Sequence, residues 1–161
     1  TLTPEEAWLA CSRAEWLMWI ATRLGMPGAT MRDVAAECAR TALHLYPGDQ
    51  VPLLAFLEGV EEDVPRNHMR PLEDAVAALQ QDATGAPREV LAAVLASGAF
   101  YSYSAARFRA NNISMVPRRV LLAHPLEERA AHEFRLCALI RAKIAWSDLE
   151  HELYPPRAEM E

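Results

Sequence analysis

Start and stop signals for α-helices recur along the whole of this 161-residue chain, and no stretch alternates apolar and polar residues over a useful length. That punctuation confines the chain to helical architectures. Thr3-Pro4-Glu5-Glu6 supplies an N-cap, a proline at the first helical position and a glutamate that closes a capping box. Ser12-Arg13-Ala14-Glu15 repeats the box, so the first helix either breaks near Cys11 and restarts or runs through to Leu24. Gly25 and Pro27-Gly28 end it. Thr30-Met31-Arg32-Asp33 opens the next helix, and Pro47-Gly48-Asp49 stops it. A third helix is expected over 51–62, then a loop over 63–68, then a fourth helix opening at Pro71. Thr84-Gly85-Ala86-Pro87 makes a turn before a long helix over 88–109. Residues 113–125 give no firm reading. A last long helix is expected over 126–145, and Ser147-Asp148-Leu149-Glu150 is a capping box for a short final one. Pro155-Pro156 stops it, and residues 155–161 read as a loose tail.

Helical spacing assigns the faces. Met31, Val34, Ala35, Cys38, Ala42 and Leu45 share one stripe, and Arg32, Glu37, Arg40 and His44 avoid it. Leu53, Phe56, Leu57 and Val60 line the third helix, and Leu72, Ala75, Val76 and Leu79 the fourth. In the long helix, Val90, Leu91, Val94, Leu95, Tyr101 and Phe108 are the large apolar residues. Gly98 there costs roughly 1 kcal/mol against alanine, so close helix–helix contact is its expected use. Ala130, Phe134, Cys137, Ile140 and Ile144 form the stripe of the last long helix. The expected fold is an all-α single domain over 1–154, a bundle or array of six to seven helices. A chain of this length can bury a core without disulfides or metal.

The helix holding Trp16 and Trp19 carries two stripes: Ala14, Leu17, Met18, Ala21 and Leu24, and beside it Trp16, Trp19 and Ile20. So broad an apolar surface predicts a central helix with its tryptophans in the core. A binding surface is the alternative, because tryptophan is enriched in interface hot spots.

Sequence signatures of catalysis are absent: no GxSxG, HExxH, P-loop or GxGxxG occurs. His124, Glu128 and His132 have four-residue spacing that metal ligands could use, but Pro125 puts His124 before the helix, so a solvated polar face is expected. Cys11, Cys38 and Cys137 show no zinc spacing and sit on or beside apolar stripes, so they read as buried thiols in a reducing, cytoplasmic setting. No cofactor and no metal are expected, and the chain reads as a non-enzyme. No signal peptide or membrane span is read.

Charge is unevenly spread within a net of −6. Residues 49–82 hold eight acids, Asp49, Glu58, Glu61, Glu62, Asp63, Glu73, Asp74 and Asp82, against Arg66 and Arg70. Residues 88–119 hold Arg88, Arg107, Arg109, Arg118 and Arg119 against Glu89. The acidic balance disfavours nucleic acid as the main partner and suits steering of a basic one, with two ordinary solvated faces as the plainer reading.

One resemblance adds to this. CSRAEWLMW, carried by Cys11, Arg13, Ala14, Glu15, Trp16, Leu17 and Trp19, precedes AAECAR, carried with Arg32 by Ala35, Ala36, Cys38, Ala39 and Arg40. This pair of blocks resembles the start of the immunity-protein-five-like family of bacterial polymorphic toxin systems. Leu57-Glu58 and Glu73-Asp74-Ala75 resemble the acidic helices that follow, and LCALIRAKIAWSDLE, residues 136–150, resembles the family's ending. The middle departs from the family, with SGAFYSYSAARF at residues 97–108 in place of an alanine-rich run. The resemblance implies a small helical protein that binds a cognate toxin, expected to be basic, and blocks it. Leu54, Glu58, Glu61, Glu62 and Asp63 form the candidate contact zone. A helical scaffold or adaptor, or a nucleic-acid-binding regulator resting on Arg107, Arg109, Arg118 and Arg119, are the other readings.

Overall fold

The structure, a computed structural model, describes residues 1–102 and 105–154. It is all-helical, with no strand among the described residues. The helices are α1 (Pro4–Ala10), α2 (Ala14–Arg23), α3 (Gly28–Arg40), α4 (Val51–Glu61), α5 (Arg66–Asp82), α6 (Gly85–Ala96), α7 (Ala99–Ser102), α8 (Ala106–Ile113), α9 (Met115–Ala123), α10 (Arg129–Lys143) and α11 (Trp146–Leu153). Two short 3-10 turns, Leu43–Leu45 and Leu126–Glu128, join α3 to α4 and α9 to α10. The segments thus outnumber the expected six to seven. The expected tail at 155–161 lies outside the described residues.

The first region breaks at residues 11–13. Thr3 caps α1 as read: its hydroxyl accepts from Glu6 N–H at 3.1 Å, and Glu6 accepts back from Thr3 N–H at 2.8 Å. The second box does not form. Arg13, not Ser12, is the N-cap of α2, and the cap comes from across the molecule, where Glu133 of α10 accepts from Ala14 N–H at 3.3 Å. Arg141 of α10 spans the break, donating to the carbonyls of Trp8 (Nη2 at 2.9 Å) and Cys11. Gly25 then ends α2 at φ 87, a left-handed conformation that glycine adopts freely.

Helix α5 starts earlier than expected. Pro65 is its N-cap and Pro71 lies inside it. Pro71 has no N–H to offer the preceding turn, but Asn67 and Pro71 are both exposed, so water can satisfy the orphaned carbonyl. The buried Met69 holds this first stretch against the core.

The long helix expected over 88–109 is interrupted. α6 ends at Ala96, and Gly98 marks the break. A Cβ on Gly98 would stand 2.8 Å from Phe56 Cζ, so the α4 ring passes under the backbone there. Close contact is indeed what the glycine permits, at the price of helix continuity. The unread segment 113–125 holds α9, whose Val116, Pro117, Val120 and Ala123 are buried. Among the described residues, its packing on α6 is the most extensive of any helix pair.

α3 lies at the centre, packed on α4, α6, α9 and α10. Met31, Val34, Ala35, Ala36, Cys38 and Ala39 are buried in it, and the small residues let its neighbours approach closely. α4, α5 and α6 pack together on one side, and α2 packs on α8, α9 and α10 on another. Leu53, Phe56, Leu57 and Val60 of α4 all face inward as read. In α10, Cys137, Ile140 and the following Ile144 are buried as expected, with Leu136. Ala130 and Phe134 are not: both lie exposed, Phe134 at 78%. The first half of α10 runs past the edge of the core and has no helix over that face.

Candidate functional site

The candidate contact residues lie together at the end of α4, but they divide into two kinds. Glu58 and Glu62 are exposed and make no ion pair among the described residues. Glu61 and Asp63 are committed to the fold. Glu61 pairs with Arg40 of α3, whose Nε donates at 3.0 Å, and Asp63 pairs with Arg32 of α3 at 3.2 Å. Leu54 is half-buried one turn before Glu58. Arg32 and Arg40 therefore belong to this region although charge counting over 49–82 missed them. The signal was present: they sit two turns apart on α3, off its apolar stripe.

Local rules are broken at this helix end. Its last turn carries no base and three glutamates counting the C-cap, where the helix dipole favours cations. Glu58 and Glu62 are also like charges at i,i+4, a pairing that costs a few tenths of a kcal/mol, about 0.2–0.5. Asp63 follows with φ 52, the left-handed position usually held by glycine. Asp63 N–H donates to Val60 O at 3.3 Å and Val64 N–H to Gly59 O at 3.2 Å, which closes a Schellman motif. Tyr101 Oη lies 3.3 Å from both Gly59 O and Asp63 Oδ1, so its single proton is shared between them. Burial and the Asp63 charge push the Tyr101 phenol up. Asp63 is thus a bracket that joins α3, α4 and α7 rather than a free contact.

Trp16 and Trp19 do not lie in the core as expected. Trp8 is buried at 4%, whereas Trp16 is 57% and Trp19 41% exposed. The inner stripe of α2 is Ala14, Leu17, Met18 and Ala21, all fully covered. The second stripe faces outward because no element among the described residues is laid over it. Trp16, Ile20 and Leu24 instead form one wall of a groove of about 560 Å³, closed by Trp8 of α1 and by Trp146 and Leu153 of α11. Arg13 stacks on Trp16 with its guanidinium carbon 5.4 Å from the ring centre, and Trp19 Nε1–H donates to Asn111 of α8 at 3.0 Å. Both rings are thereby held in place while a face of each stays open.

The basic segment is largely spoken for. Arg119 of α9 pairs with Glu89 of α6 at 3.0 Å, and Arg109 lies over the Phe100 ring at 4.9 Å. Arg118 is exposed.

Histidines behave differently from the expected solvated face. His124, the C-cap of α9, is 2% exposed. His132 of α10 stacks on it with ring centres 3.6 Å apart, and His44 approaches its edge at 5.8 Å. Among the described residues no three His, Cys, Asp or Glu side chains are set to hold a metal ion. Burial pushes the Cys38 thiol up to about 12 and raises that of Cys137 as well, so neither is a ready nucleophile. Among the described residues no helix is long and apolar enough to cross a membrane.

No family model, no curated protein and no solved structure matches this chain.

Proposed function

We propose that this protein is an inhibitor of the immunity type, which binds a cognate basic toxin and covers its active surface. The observation that carries the reading is the pair Glu58 and Glu62, exposed and without an ion pair among the described residues, at a helix end where both the dipole and their mutual repulsion oppose them. Charges kept against local cost are explained by a partner that compensates them. Glu61 and Asp63, tied to Arg40 and Arg32, fix the frame from which the free pair projects. Leu54 offers an apolar centre beside them. The resemblance of CSRAEWLMW and AAECAR to immunity proteins supports the same class.

A pull-down of the neighbouring gene's product, with growth rescue of cells expressing it, tests the class. The double reversal Glu58→Lys/Glu62→Lys tests the surface: association slows and its salt dependence flattens, because unpaired charges at an interface rim act mainly on the on-rate. Unchanged binding and unchanged salt dependence would remove this face from the proposal.

A second reading, a helical adaptor, is favoured by the open groove of α1, α2 and α11 with the exposed faces of Trp16 and Trp19. Trp16→Ala would abolish partner binding in that case and leave it intact if the acidic edge is the contact.

A further inference from the structure

Three histidines from separate parts of the chain meet at the elbow between α9 and α10. His44 comes from the 3-10 turn after α3, His124 caps α9, and His132 lies in the first turns of α10. His124 Nδ1 is 3.0 Å from Val120 O, a pure acceptor, so Nδ1 carries the proton. Its Nε2 is buried and meets no partner. The His124 carbonyl accepts from Arg129 Nε at 3.1 Å, which ties the elbow to α10. The rings of His124 and His132 are stacked at 3.6 Å with a 43° tilt, a contact suited to neutral imidazoles.

The charged groups facing the cluster are few. Glu128 of the 3-10 turn lies 3.9 Å from His132 Nε2, and its side chain is more than half exposed. Arg129 and Arg135 of α10 are both cations. A proton on His132 would therefore enter a half-buried site against the His124 imidazole and beside Arg135, with one loosely held carboxylate in compensation.

We propose that His132, stacked on His124, makes the α9–α10 elbow a proton-operated joint, which holds α10 against the end of α9 when His132 is neutral and loosens it when His132 is charged. Burial, then His124 and Arg135, hold His132 below its ordinary 6.5. The unfolded chain consequently takes up this proton first as pH falls. The cluster's stability is complete above about 6.5 and is lost as pH drops from there through the folded value. The loosening reaches further than the elbow, because Glu133 caps α2 and sits next to His132.

Two measurements on the purified protein test this. Histidine NMR titration should show His132 protonating below 6.5, and a value at or above 6.5 would overturn the proposal. Hydrogen exchange, corrected for intrinsic rates and referred to α6 amides, should show protection over 124–136 falling severalfold between about pH 7.5 and pH 5. His132→Gln, which keeps a polar side chain of similar reach but cannot charge, should flatten that fall. An equal fall in His132→Gln, or none in the unmodified protein, would refute the joint. If the variant does not fold, the titration of the unmodified protein still decides.

Discussion

Replacing Asp63 by glycine and, separately, by alanine isolates what the end of α4 stores. Both variants lose the same contacts. The ion pair to Arg32 involves an Asp63 side chain that is 61% exposed, so it contributes at most about 1 kcal/mol. The Tyr101 hydroxyl contact is long and shared with Gly59 O, which puts it at the weak end of about 0.5–1.5 kcal/mol. Those terms cancel between the variants. What remains is the backbone at φ 52, which glycine adopts freely and alanine does not, a difference of about 1 kcal/mol or a little more. Asp63→Gly should therefore lie within about 1 kcal/mol of the unmodified protein, and Asp63→Ala about 2 kcal/mol below it. Urea unfolding followed by circular dichroism resolves this, and the corresponding gap in Tm between the variants is about 2–4 °C for a chain of this size. If alanine proved as stable as glycine, the left-handed backbone would carry no cost here, and the argument that Asp63 is retained as a bracket despite strain would fail.

Two further outcomes follow from the packing. Trp8→Ala should cost about 3–5 kcal/mol and Trp16→Ala under about 1 kcal/mol by the same urea assay, since only the first ring is buried; equal losses would contradict the open groove. Gly98→Ala should cost about 1–3 kcal/mol because the new methyl meets the Phe56 ring, and adding Phe56→Leu should recover part of that loss; independent, additive effects would show that the ring is not the obstacle.

The parts of the fold legible in the sequence were those decided within a few residues. The stripe of α4 and the capping box at Thr3 depend on spacing and local hydrogen bonds, and both stand as read. Trp16, Trp19 and Phe134 show the limit. Periodicity says which side chains share a face, and it cannot say whether another helix arrives to cover that face. The break at Gly98 escapes local reading for a related reason: the ring that meets the glycine, Phe56, lies 42 positions away, and only the glycine shows locally. The acidic zone was legible as charge, but Arg32 and Arg40, which neutralise half of it, come from α3. The histidine cluster needed His44 brought to the α9–α10 elbow, a meeting that no local spacing encodes.

The clamp made by Arg141 sets an order of assembly. Its guanidinium grips the carbonyl of Trp8, a residue 133 positions earlier. While the chain is still emerging from a ribosome, α1 lacks this clamp until nearly all of α10 has been made. The same holds for the cap that Glu133 gives α2. These two contacts of α1 and α2 are therefore late to form, and closing so long a loop is an entropically slow step. Until then the α1–α2 segment carries Trp8 unclamped beside the exposed Trp16 and Trp19, which makes it a natural client for a chaperone while nascent.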